Sequence, residues 1–194
     1  MNDIEIRVAN VDDAEEILKI YEPYVEKTAI SFEYGVPSLR EFKSRIENTL
    51  KKYPYLVAIS DGKIVGYTYC GVFKARAAYD WSVETTIYLD ESYKGQGIGR
   101  RLYSELEAYL KKMNILNLNA CIATCDVEDE HLTNGSSKFH EKMGYKLVGQ
   151  FTNSGFKFNT WYNMIWMEKM IGEHDSNPKA IIPFSELNQW VDII

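Results

Sequence analysis

Apolar and polar positions change period repeatedly along this chain, and each change predicts an element. Ile4, Ile6 and Val8 alternate with polar residues, the period of a short strand. Asp12 and Glu15 have the spacing of a capping box, and Ile17, Ile20, Tyr21, Tyr24 and Val25 then recur at helical spacing. Pro23 predicts a kink or an end to that helix. Ser38 and Glu41 repeat the capping signature after Pro37, and Leu39, Phe42, Ile46 and Leu50 form a second helical stripe. YLVAIS and KIVGYTYCGVF flank Asp61-Gly62, a strong hairpin signal. Trp81–Leu89 reads as a strand that runs into YKGQGIGRRL, residues 93–102. Leu102, Leu106, Tyr109, Leu110 and Met113 follow at helical spacing. Asn117–Cys125 predicts a strand, and Ser136–Met143 a short helix stopped by Gly144. KLVGQF and WYNMIWMEKMI supply the last strands. The order is strand, two helices, three strands, helix, strand, helix, two strands, an α+β pattern with a mixed sheet. Residues 172–194 show no clear period, so the expected organisation is a domain over 1–171 with a C-terminal extension over 172–194.

Composition narrows the function classes. The 194 residues are 45% hydrophobic and 26% charged, with a formal net charge of -6 and no long basic run. Nucleic acid and anionic membrane surfaces are therefore poor partners. No apolar run approaches the roughly 20 residues of a membrane span. The start, MNDIEIRVANVDDAEE, is polar and acidic, so no signal peptide is expected and the expected compartment is the cytoplasm. Cys70, Cys121 and Cys125 lack metal-ligand spacing and read as reduced thiols; no metal is expected.

Gly95, Gly97 and Gly99 are a poor way to favour a helix, because each costs about 1 kcal/mol against Ala in a helix interior. Strand, glycine turn and helix together present bare backbone N–H groups where a helix begins, and phosphates bind there. A flexible turn that only caps the helix would explain one or two glycines, not three. A P-loop requires Gly-Lys-Ser/Thr, whereas Gly99 precedes Arg100 and Arg101. A dinucleotide fingerprint requires G-x-G-x-x-G, which neither Gly95 nor Gly97 begins. The stretch resembles the pyrophosphate loop of the GCN5-related N-acetyltransferases, Arg/Gln-x-x-Gly-x-Gly/Ala, with Lys94, Gly97 and Gly99 at its marked positions. KARAAYDWSVETTIYL (74–89), SSKFHEKMGY (136–145) and GFKFNTWYNMIWMEK narrow the resemblance to the phosphinothricin N-acetyltransferase branch, over roughly residues 4–170. The segment 124–133, TCDVEDEHLT, is longer than its counterpart there.

The resemblance implies an acetyltransferase fold with helices on both faces of a mixed, mostly antiparallel sheet, and acetyl-CoA as cosubstrate. Glu84 shares one strand face with Thr86 and Tyr88, and a carboxylate in so apolar a strand is unusual. A solvated carboxylate on a half-exposed sheet is the plain reading; the resemblance implies the base that deprotonates the acceptor amine. His140 has a neutral-range pKa. The resemblance leaves it two roles, donor to the departing thiolate or partner to Glu84. Backbone groups of Ile87, Tyr88 and Leu89 are expected to pair with the pantetheine arm, and Lys94, Gly95, Gln96, Gly97, Ile98, Gly99 and Arg100 to hold the pyrophosphate. Asn134 is a further cofactor candidate. For the acceptor, Lys74, Arg76 and Tyr79 precede the Glu84 strand, and Arg suits carboxylate and phosphinate oxygens. Phe32 is a candidate pocket wall; Tyr34, Trp161 and Tyr162 divide between wall and packing. The implied activity is acetylation of a small amino acid or analogue such as phosphinothricin, methionine sulfone or methionine sulfoximine, in a ternary complex. A polyamine or protein N-terminal acceptor is the near alternative, and a non-catalytic acyl-CoA sensor the distant one. The resemblance also implies a homodimer.

Overall fold

The computed structural model describes residues 4–187. In chain order these form β1 (Ile4–Val8), α1 (Ala14–Lys27), α2 (Leu39–Leu50), β2 (Tyr55–Ser60), β3 (Lys63–Val72), β4 (Ser82–Leu89) and α3 (Ile98–Lys112). There follow β5 (Asn117–Thr124), α4 (Gly135–Lys142), β6 (Lys146–Lys157), β7 (Thr160–Met170) and a single turn, α5 (Phe184–Leu187). The seven strands make one sheet in the order β1-β2-β3-β4-β5-β7-β6. Every pairing is antiparallel except β4 with β5. The class is α+β, as the patterning predicts.

Strand alternation divides the core in two. Leu56 and Ala58 of β2 join a cluster with Leu102, Leu106 and Leu110 of α3. Their neighbours Tyr55 and Val57 pack instead with Ile17 and Tyr24 of α1 and Phe42 and Ile46 of α2. Asp61 and Gly62 both take the left-handed conformation that a two-residue hairpin requires, with φ of 50° and 75°.

Two local expectations are corrected and one, at Pro23, is narrowed. The box at the start of α1 is made by Asn10 and Asp13, around a 3₁₀ turn at Val11–Asp13, not by Asp12 and Glu15. Arg7 selects this register by donating to both Asp13 oxygens at 2.7 Å. Pro23 does not end α1, which runs on to Lys27 because Tyr24 and Val25 beyond it are buried with the same core as Ile17 and Ile20. β6 extends well past KLVGQF to Lys157, through a register shift between Phe151 and Gly155 that leaves Thr152 to Ser154 exposed.

The segment after Gly172 packs on the α3 side. Phe184 and Leu187 are buried there, the Phe184 N–H donates to Lys52 O at 2.9 Å, and the Ile182 N–H to Met113 O at 3.0 Å. The Trp81 indole donates to Lys179 O at 2.7 Å. Phe184→Ala is therefore expected to destabilise the fold by about 3–5 kcal/mol, read as a lower denaturant midpoint at unchanged slope. Residues 188–194 of the expected extension lie outside the described residues.

Candidate active site

The sheet opens where its one parallel pair stops. β4 and β5 pair only at Ser82↔Asn117, Val83↔Leu118 and Glu84↔Asn119. Beyond that rung β4 stays with β3 as far as Leu89↔Gly66, and β5 stays with β7 as far as Thr124↔Asn163. Two buried bonds hold the apex of the wedge: the Thr85 hydroxyl donates to Asn119 O, and the Asn119 amide to Val83 O, both at 3.2 Å. Thr85–Leu89 thus present edge backbone to a gap, where an extended ligand can complete the pairing. Leu89 is a partial exception, because the Tyr24 hydroxyl already donates to its carbonyl at 2.5 Å. A cavity of about 210 Å³ fills the wedge; Glu84, Thr86, Tyr88, Phe32, Tyr103 and His140 are among its walls.

One end of β4 leads through a 3₁₀ turn at Glu91–Tyr93 into the glycines. Gly95 and Gly97 have φ of 76° and 83°, and Gly97 is the N-cap of α3. Both are exposed, and an added Cβ would meet nothing within 4 Å, so backbone conformation demands glycine there. No side chain caps the amides of the first turn of α3, which carries no acidic residue. That turn is an anion site in waiting, with Arg100 exposed beside it. Gly99 differs. It is buried, and a Cβ would lie 3.2 Å from the Phe139 ring of α4, so this glycine serves helix packing. Ile98 is buried in the α3 core, leaving only its backbone for a ligand. The Gln96 amide donates to Ser92 O at 2.9 Å, and the Lys94 ammonium lies 4.8 Å from the Tyr24 ring and 3.5 Å from Glu91.

Glu84 sits at the wedge apex, half-buried, with no hydrogen-bond partner among the described residues. Burial pushes its carboxyl above the usual range, opposed by the Lys74 charge. Such a group is a poised proton acceptor. His140 is buried, and both ring nitrogens are engaged. Nδ1–H donates to Ser136 O at 2.8 Å, because a carbonyl can only accept, so Nε2 accepts from the Tyr103 hydroxyl at 2.9 Å. Burial pushes the imidazole below its usual range, which keeps it neutral. Burial also raises the Tyr103 phenol strongly, so it keeps its proton.

Residues 6–166 match the family profile of the acetyltransferase (GNAT) domain. The chain belongs to the GNAT acetyltransferase family. Phosphinothricin N-acetyltransferase of Streptomyces viridochromogenes is 28% identical across 95% of this chain and 96% of its own length. L-methionine sulfoximine/L-methionine sulfone acetyltransferase of Salmonella typhimurium is 25% identical across 87% of this chain and 95% of its own length. Among solved structures, a phosphinothricin acetyltransferase from Sinorhizobium meliloti in complex with AcCoA superposes with a TM-score of 0.84. It is 29% identical, across 94% of this chain and 97% of that one. Acetyl-CoA is the cosubstrate, and the open wedge with its glycine turn suits an extended arm ending in a diphosphate.

The acetyltransferase gathers some of the expected site residues and leaves others apart. Phe32 joins Glu84 in the cavity wall. The Lys74 ammonium lies 5.0 Å from the Phe73 ring and 5.2 Å from the Trp166 ring, with its charge felt at Glu84. Lys74, Arg76 and Tyr79 are all exposed and none is among the cavity walls; the Tyr79 ring meets Phe73 at 6.0 Å. Asn134 has its side chain engaged within its own loop. Its side chain accepts from the Cys125 N–H at 3.2 Å and donates to Cys125 O at 3.0 Å, so it closes the 125–134 loop. In the same loop Asp129 accepts from the backbone amides of His131 and Leu132 and from the Tyr162 hydroxyl. Tyr162 is accordingly buried, whereas Trp161 is exposed.

Tyr103 escapes the sequence pattern. It stands next to Leu102 in the buried helix face, where an aromatic residue reads as core, and its place in the cavity wall and its hydroxyl contact with His140 mark it.

Proposed function

We propose that this acetyltransferase transfers the acetyl group of acetyl-CoA to the amino group of a small amino acid or analogue, of the phosphinothricin, methionine sulfone or methionine sulfoximine type. The observation that carries this reading is a carboxylate, Glu84, without a hydrogen-bond partner among the described residues, at the apex of a wedge shaped for a thioester arm. Acetyl-CoA supplies the activated acetyl group. Glu84 takes the proton from the attacking ammonium, a service worth about 10²- to 10⁴-fold. The new N–C bond forms as the C–S bond breaks, and the sulfur leaves as a thiolate that needs a proton or a hydrogen-bond donor. Tyr103, held neutral by burial and lining the cavity, is that donor once its O–H turns from His140 Nε2 to the sulfur. A base role for His140 fits less well, because burial penalises its charged form. The anionic end of the acceptor is assigned to Lys74, with Arg76 and Tyr79 on the exposed loop beside it.

Free thiol released from acetyl-CoA, followed against a panel of amino acids, analogues, polyamines and N-terminal peptides, tests the proposal. Release with a sulfone or phosphinate amino acid, and not with polyamines, is the expected result. Binding of acetyl-CoA with no thiol released on any amine would establish a sensor instead. A pH profile tests the base. Glu84 must be ionised, so kcat/KM falls as pH drops through its raised pKa. Lys74→Met removes the one charge that opposes the rise, so the acid limb is expected to move to higher pH. His140 has no such dependence on Lys74 and its limb would stay in place.

We also propose that the chain works as a cytoplasmic homodimer. Among the described residues, no helix is long and apolar enough to cross a membrane. Leu147, Val148 and Phe151 on the edge strand β6, with Phe156 and Trp161 at its hairpin to β7, are exposed apolar side chains that support self-association. Sedimentation of the full chain as a monomer at micromolar concentration would remove this part of the proposal.

A further inference from the structure

Segment 28–38 contains no helix or strand, yet it supplies Ile30 and Phe32 to the cavity that holds Glu84. Its position must therefore come from what it is tied to. Lys157, the last residue of β6, is only 4% exposed, and its ammonium donates to Val25 O at 2.7 Å, Thr28 O at 2.8 Å and Ser31 O at 2.7 Å. Three donors meet three backbone carbonyls, which uses the full capacity of the group. No acid pairs with Lys157 among the described residues; Glu33 acts on it only through space.

Two neighbours on the same hairpin grip the same segment. The Phe32 ring lies against Gly155, where an added Cβ would come within 2.6 Å of three ring atoms. The Tyr34 hydroxyl donates to Phe156 O. Further ties come from the Ala29 N–H to His131 O, and from the Ser31 hydroxyl to Tyr21. Tyr21 also reaches both sides of Phe32, through the Ser31 hydroxyl and the Glu33 carboxylate, and the hairpin adds the backbone grip at Ser31 and the contact on the Phe32 ring itself.

A helix C-terminus can satisfy its carbonyls with water or a glycine turn, without the desolvation penalty of a buried ammonium. A charge-assisted bond is shorter and stronger than those substitutes, and three from one ammonium fix where the three carbonyls lie. We propose that Lys157, with Gly155 beside it, is a positioning residue that mounts the acceptor wall at Ile30 and Phe32 on the β6–β7 hairpin and so sets affinity for the acceptor amine. The inference rests on the reading of the wedge as an acetyltransferase site with the acceptor beside Glu84. Placement of reacting partners is sensitive at this scale, a shift of about 1 Å costing on the order of 10²-fold.

The test compares wild type, Lys157→Met and Gly155→Ala as full chains, with the acceptor amine chosen from the thiol-release panel. Acceptor KM, acetyl-CoA KM and the unfolding midpoint are measured for each. Gly155 has no left-handed φ, so alanine puts no backbone strain there, and the nearest atoms its Cβ meets are those of the Phe32 ring. Both variants are expected to raise acceptor KM by roughly tenfold or more and to leave acetyl-CoA KM within about twofold. A lower unfolding midpoint with acceptor KM unmoved would overturn the proposal and leave Lys157 a brace for α1. Should Lys157→Met not fold, Gly155→Ala decides alone: an unchanged acceptor KM overturns the proposal, a raised one supports it. Failure of the catalytic reading looks different, since Glu84→Gln would then leave thiol release intact.

Discussion

Glu84→Gln is expected to lower kcat by about 10²- to 10⁴-fold at saturating acetyl-CoA, while acetyl-CoA affinity stays within about twofold. Glutamine keeps the shape of the side chain and the cavity wall but cannot take a proton from an ammonium. The loss should therefore appear in turnover and not in cosubstrate binding. It should also shrink as pH rises toward the pKa of the amine, because the free amine then needs no base. With the carboxyl gone, the acid limb that Lys74→Met displaces should vanish from the profile. Turnover and acetyl-CoA affinity falling together would make Glu84 a structural residue at the apex of the wedge. Such an outcome is physically available, since Glu84 opposes Asn119 on the last shared rung of β4 and β5.

Much of this site was legible in the sequence because it is written in short-range chemistry. Alternation places Glu84 with Thr86 and Tyr88, and all three line the cavity. The glycines announce a turn, and Gly95 and Gly97 do adopt left-handed backbone. Gly99 shows where that logic stops, because its neighbour Phe139 lies 40 residues away and no spacing rule reveals such a contact. Tyr103 and Lys157 were illegible for the same reason. Each is an ordinary residue locally, a core aromatic and a strand-end lysine, and each acquires its meaning from partners at 37 and at 126–132 residues' separation. Asn134 is a different case. The sequence offers it as a cofactor candidate, while the loop closure that engages its side chain depends on Cys125, nine residues earlier. The splayed sheet itself follows from resemblance, not from periodicity, because two strands of the right pattern do not say where their pairing ends.

Gly97→Val is expected to weaken acetyl-CoA binding by at least about tenfold, the equivalent of roughly 1.4 kcal/mol. Two effects act in the same direction. A φ of 83° is a left-handed conformation that a β-branched residue strongly resists, so the turn must move. Moving it rotates the uncapped amides at the start of α3 away from their common target. The side chain also intrudes on the bare approach that Gly97 leaves open. Strain alone could lower activity by disordering the helix start, and a truncated donor separates the two cases. S-acetyl-pantetheine lacks the diphosphate, so with it the variant and the wild type should converge in kcat/KM. Gly99→Ala supplies the contrast: its Cβ meets Phe139, next to His140, so it should impair both donors to a similar degree. If Gly97→Val lost as much with the truncated donor as with acetyl-CoA, the turn would be a helix start and nothing more, and the diphosphate would have to bind elsewhere on the chain.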